Sequence, residues 1–132
     1  MDQGPLVSEE IDAAADLIRV FDKIWPVKVA FWLKASDEDQ RYLYIASDSI
    51  KDTNLGAAYR DVVRMVRHKP SPYLDVFRIK VIAGTNPLAS AAADVIHRYP
   101  APLATRIGGG KFGGLTVDDG YIYPPSVASA VP

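Results

Sequence analysis

The sequence predicts one α+β domain, a mostly antiparallel sheet of about five strands carrying three helices, in the order α-β-β-α-β-α-β-β. Three observations predict it. Several short segments alternate apolar and polar residues with a period of two; three others place apolar residues at helical spacing; and prolines or glycines punctuate the joins. The clearest unit is Asp75 to Tyr99, where the alternating run with Phe77, Ile79 and Val81 passes through Gly84-Thr85-Asn86 into a helix opened by Pro87. Leu88, Ala91, Ala92, Val95 and Tyr99 form its apolar stripe, and Pro100 ends it.

Taken in order, residues 1–7 read as a flexible lead and Ser8 as the cap of a first helix. Glu9, Glu10 and Asp12 suit the positive end of its dipole. Ile11, Ala14, Ala15, Ile18, Phe21 and Trp25 share one face, and Pro26 closes it. Val27 to Ala35 and Arg41 to Ser47 are alternating strands joined by the polar turn Ser36 to Gln40, which makes a hairpin. Thr53 or Asn54 caps the second helix, whose buried stripe is Leu55, Ala58, Tyr59, Val62 and Val66; Lys69-Pro70-Ser71-Pro72 stops it. Beyond the third helix, Pro100-Ala101-Pro102 is extended and Arg106 to Gly114 is a glycine-rich loop. Asp118-Asp119-Gly120 then reads as a tight turn between strands 115–117 and 121–123. Residues 124–132 read as a second flexible tail. The expected core includes Ile18, Phe21, Val29, Phe31, Ile45, Val62, Phe77, Ile79, Val81 and Val95, with the helices chiefly on one face of the sheet.

A chain of 132 residues supports one core, so residues 1–132 are read as a single domain. Hydrophobic residues make up 48% and charged residues 23%, a globular balance with no apolar run long enough to span a bilayer. The N-terminus lacks a basic start and an apolar stretch, so the expectation is a cytoplasmic protein with no membrane association. The absence of cysteine excludes a disulfide framework, a thiolate metal site and a cysteine nucleophile. A net charge of −1 supplies no overall field toward nucleic acid.

Two groups of residues are candidates for a site. The first is a phosphate cradle, Gly84, Thr85 and Asn86 at a helix start together with Arg106, Gly108, Gly109, Gly110 and Lys111, because backbone N–H groups and cations hold anions. The lysine is not followed by the Ser or Thr of a P-loop. The second is a sheet face of Lys28, Trp32, Lys34, Arg78 and Lys80, which Tyr42 and Tyr44 join if the hairpin register permits and leave for the core if it slips by one, so that cations interleave with aromatics. That face suits a homodimer or protein partner better than single-stranded nucleic acid, or else is covered by the chain's own loops or helix. Arg60, Arg64 and Arg67 form a basic stripe that also serves solubility. His68 and His97 are not spaced as metal ligands, Asp48 and Asp52 lie in a connection, and Asp118 and Asp119 lie in the expected turn. Asp75 with Lys80 is the nearest approach to a hairpin nuclease, but Arg78 stands where an acid is required. No metal, no cofactor and no catalytic set is assigned.

Trp25-Pro26 followed by the aromatic strand Val27 to Leu33, the segment Tyr42-Leu43-Tyr44-Ile45-Ala46-Ser47 and the closing Gly120-Tyr121-Ile122-Tyr123 resemble a group of small uncharacterised bacterial proteins. The resemblance implies a bacterial cytoplasmic origin and brings no activity. Asp48 stands where those relatives suggest a proline. The expected function is a non-enzymatic interaction or accessory domain that self-associates or binds a protein partner through the sheet face or an edge strand. The alternative is a protein binding, or acting on, a phosphorylated or nucleotide-like compound.

Overall fold

The computed structural model describes residues 6–99, 104–125 and 127; most of the two expected tails and the Pro100-Ala101-Pro102 segment lie outside them. Helix α1 (Ser8–Asp22) leads into strands β1 (Val29–Ala35) and β2 (Tyr42–Ser47), helix α2 (Leu55–His68), strand β3 (Ile79–Ala83) and helix α3 (Pro87–Arg98). Strands β4 (Thr105–Ile107), β5 (Gly110–Phe112) and β6 (Leu115–Ile122) complete the sheet. Its order is β3-β2-β1-β6-β4, with β5 also on β6. The α+β class and the order of helices and strands are as expected, with six strands because the glycine-rich stretch contributes to β4 and β5 while the two strands expected at 115–117 and 121–123 are one, β6. The sheet is mixed: β2 and β3 pair in parallel across the α2 crossover, and the other four pairings are antiparallel.

Both faces of the sheet are covered. Ala30, Trp32, Leu43, Ile45, Ile79 and Val81 pack under α1 and α2, while Val29, Phe31, Leu33, Tyr44, Ala46 and Ile122 pack under α3. The expectation that three helices lie chiefly on one face is therefore corrected. The cause is legible in β1, in which every residue is buried and the alternation separates two apolar sets rather than an apolar and a polar one. Phe31 stacks on Tyr44 at 5.2 Å and meets Phe112 at 5.8 Å, so β5 is drawn over the α3 face.

Local chemistry explains the other departures. Val7, not Ser8, precedes the first helical residue, and its N–H donates to Glu10 Oε1 at 3.2 Å. Leu6 is buried in the core under α1, which takes it out of the flexible lead. Phe77 is 88% exposed, not core. The Asp75 carboxylate accepts from Phe77 N at 2.9 Å and winds residues 76–78 into a 3-10 turn, so the strand begins only at Ile79. Val95 is half-buried, and the other expected core residues are buried.

The Asp118-Asp119-Gly120 turn is also corrected, since all three residues lie within β6. The turn is Gly113-Gly114, with φ of 56° and 86°, where left-handed backbone favours glycine. Gly120 has another reason to be glycine. A Cβ there would stand 2.8 Å from Leu33 Cδ2 and 3.0 Å from the Trp32 carbonyl oxygen, which is backbone and cannot step aside.

Two substitutions check this reading by urea denaturation. Gly120→Ala overpacks the β1–β6 contact and lowers stability by about 1–3 kcal/mol. Phe77→Ser leaves stability within about 0.5 kcal/mol, as expected of a surface position. A large loss in Phe77→Ser would restore the strand-core assignment.

Candidate functional site

Helix α1 carries two apolar stripes. Ala14, Ile18 and Phe21 face the sheet and are fully buried. Beside them Ala13, Leu17 and Val20 recur at i, i+4 and i+7, which sets them one above another along a second face, and Ile24 follows in the turn after the helix. Helix α2 runs antiparallel alongside, because Trp25 Nε1 donates to Asp61 Oδ2 at 2.8 Å while Lys69 Nζ reaches Asp16 Oδ2 at 3.3 Å. Past α2, Pro70 and Pro72 forbid further helix, and the chain folds back with Tyr73 N donating to Ser71 Oγ at 3.1 Å. The second stripe of α1, Met65 and Val66 of α2, and Pro70, Pro72, Tyr73 and Leu74 thus line a groove of ≈ 770 Å³.

The groove is apolar in its walls and charged at its rim. Val20, Ile24 and Tyr73 remain 45%, 53% and 44% exposed. Arg19, Arg64 and Lys69 stand around it with Asp16 and His68 beside them. Asp16 is shared between Arg19 at 2.8 Å and Lys69, and Arg64 pairs with Asp61. None of the wall residues was a sequence candidate. The available signal was the width of the apolar arc on α1, which carries Leu17 and Val20 as well as Ala14, Ile18 and Phe21, with Ile24 just beyond it.

The residues expected to share a sheet face are divided. Trp32 is 2% exposed and points under α1, where its indole N–H donates to Tyr123 Oη at 3.0 Å. Tyr44 is buried on the opposite face under α3, its phenol pushed up to about 12 first by burial and then by the Glu38 charge. Lys80 stands 4.3 Å over the Tyr42 ring and 5.6 Å from that of Tyr44, a small cationic and aromatic cluster at the β2–β3 edge. Arg78 donates through Nε to the Arg41 carbonyl at 3.5 Å. Lys28 Nζ donates to the Gly84 carbonyl at 3.0 Å. The exposed aromatic and basic face is thereby corrected: a central strand buried on both sides leaves no such face, and substituting Trp32 probes the core.

The phosphate candidates lie at opposite edges of the sheet, Gly84 just after β3 and Arg106 on β4, with β2, β1 and β6 between. The Asn86 side chain accepts from Leu88 N at 2.9 Å and so caps α3 internally. A Cβ on Gly84 would fall 1.9 Å from Asp48 Oδ1, so a carboxylate flanks that turn. Lys111 donates to Thr116 Oγ1 at 2.6 Å across the β5–β6 hairpin, Arg106 stands 5.3 Å from the Tyr121 ring, and Gly108, Gly109 and Gly110 are exposed. It is Gly113 that meets the first turn of α3, where a Cβ would be 2.8 Å from the Pro87 carbonyl oxygen. Arg60, Arg64 and Arg67 share the outer face of α2 with Tyr59 and Val63.

In the middle of β6 the two aspartates expected in a turn hold cations. Lys34 Nζ donates to Asp118 Oδ2 at 2.7 Å, and Arg41, 2% exposed, pairs both its Nε and Nη2 with Asp119, at 3.0 and 2.9 Å. Hydrogen bonds from Lys34 and Ser36 lower the Asp118 pKa below the ordinary carboxylate value. Among the described residues no three His, Asp or Glu side chains gather as a metal-ion site, and no helix is long and apolar enough to cross a membrane.

Fold and groove together define a class: an α+β domain with a mixed sheet between helices and an apolar, cation-rimmed trough between α1 and α2. No protein-family model, curated protein or solved structure matches the chain, so the resemblance to small bacterial proteins gains no support from these comparisons.

The Lys34–Asp118 pair makes a pH prediction. A lowered folded pKa contributes stability that is full above the unfolded carboxylate value and is lost as pH falls through the folded one. NMR titration of the Asp118 carboxyl places its midpoint below the ordinary aspartate value, and Lys34→Met moves it upward. A midpoint unmoved by Lys34→Met would remove the pair as the cause.

Proposed function

We propose that this chain is a non-enzymatic interaction domain that receives a protein partner in the groove between α1 and α2. The observation that carries the reading is the cluster of half-exposed Val20, Ile24 and Tyr73 above an apolar floor that includes Leu17, Met65 and Leu74. Scattered surface apolar residues need no explanation, but a contiguous patch with a polar rim is the usual form of a recognition site. Other routes to association are less open. Both sheet faces are covered. The β3 edge is partly occupied, because Tyr59 Oη accepts from Val81 N at 2.9 Å. The far edge consists of two three-residue strands separated by glycines, a form that discourages strand addition.

The test combines Ile24→Asp with Tyr73→Ser in the full chain. Both side chains are exposed, so stability stays within about 0.5 kcal/mol per site. Partner retention in affinity capture from the native host is lost in the double variant and kept in wild type. Retention unchanged by the double variant would exclude the groove as the binding surface.

A further inference from the structure

We infer, resting on the groove assignment above, that the partner segment is an amphipathic α-helix whose apolar stripe is flanked by acidic side chains. The shape of the trough supplies the first argument. Its α1 wall extends from Ala13 to Val20, which at 1.5 Å per residue is about 10 Å, and Ile24 continues it in the turn after the helix. Three anchors at i, i+3 or i+4, and i+7 extend about 10 Å along a helix, so one short helix spans the groove with its full set of anchors. The walls are α1, the C-terminal half of α2 and the Pro70–Leu74 turn, an arrangement that leaves the long side open, as the exposure of Val20 and Ile24 records. A small apolar ligand favours a cavity that encloses most of its surface; a helix needs only one face covered.

Charge supplies the second argument. Around the groove Arg19, Arg64 and Lys69 stand against Asp16 and against Asp61, which holds Arg64, three cations to two carboxylates, although the chain as a whole carries −1. Asp16 is already shared by two of these cations. Carboxylates on a bound helix meet this rim favourably, and lysines in the same places are repelled. The same count argues against a second copy of this chain. A two-fold dimer through the groove would set its own cationic rim against itself.

The probe is a pair of synthetic peptides of about 16 residues, long enough for appreciable helicity. Both carry leucines at i, i+3, i+4 and i+7, one with glutamates and the other with lysines at the flanking positions. Each is titrated into the full-length protein while backbone amide NMR resonances are followed. At low salt the glutamate peptide shifts Val20, Ile24 and Tyr73 and binds about tenfold more tightly than the lysine peptide. Raising the salt narrows the preference, and Arg19→Glu with Lys69→Glu reverses it. Equal affinity of both peptides at these residues would overturn the acidic specificity and leave the groove as an interaction surface. Shifts at these residues on raising protein concentration without peptide would make the occupant a second copy, which overturns the inference. Saturation of the same residues by dodecanoate, with neither peptide binding, would overturn both the inference and the protein-partner reading.

Discussion

The Trp32 indole, the Tyr123 phenol and the Ile11 carbonyl form a hydrogen-bonded line on which the placement of α1 depends. Trp32 donates to Tyr123 Oη at 3.0 Å, and Tyr123 Oη donates to Ile11 O at 2.8 Å. One phenol thereby joins the central strand, the residue after β6 and the first turns of α1. Trp32 and Tyr123 are buried, so the polar atoms of that pair have no water to fall back on, and losing one partner strands the other at a cost of about 1–3 kcal/mol. Burial also raises the Tyr123 pKa, which keeps the hydroxyl a donor throughout the physiological range. With this line made, α1 has a fixed rotation about its axis: Ile18 and Phe21 point to the sheet, and Leu17, Val20 and Ile24 are left to line the groove.

The second constraint is the burial of β1 on both sides. A strand whose odd and even residues are apolar but for Lys34 near its end demands cover on two faces, and α3 supplies the second. This is why the elements were readable in the sequence while their layering was not. Period-two patterning located β1, β2 and β3, and proline placement located the helices. The pattern Lys28, Trp32, Lys34 suggested a polar face, because the lysines at the strand ends were weighed with the tryptophan at its centre. In the structure Lys28 and Lys34 reach the Gly84 carbonyl and Asp118 respectively, which lets the ends of a buried strand carry charge.

Two further misreadings share a cause, the ambiguity of short polar residues. Asp75 was assigned to a strand start and instead turns the chain, leaving Phe77 outside. Asp118 and Asp119 before Gly120 form the strongest hairpin signal in the sequence, yet they answer Lys34 and Arg41, while Gly113 and Gly114 supply the positive φ. Local propensity cannot separate an aspartate that shapes backbone from one that neutralises a distant cation. The groove was hidden for a different reason. Its walls come from α1, α2 and a proline-bounded turn, and only tertiary packing brings Ile24, Met65 and Tyr73 together.

The energetics of the groove favour occupation over closure. Filling Val20, Ile24 and Tyr73 with polar residues would cost the fold little, since each is near half-exposed, so folding alone does not account for their apolar character. Covering them with a partner removes apolar surface at about 25 cal/mol per Å². The ion pair between Asp16 and Lys69, which reaches across the trough, joins two well-exposed side chains, and such pairs contribute at most about 1 kcal/mol. Releasing Lys69 to an incoming carboxylate exchanges one solvated pair for another at little net cost, and the desolvated walls then supply the affinity. In the proposed complex, charge at the rim would govern which segment docks, and the second stripe of α1 how firmly it is held.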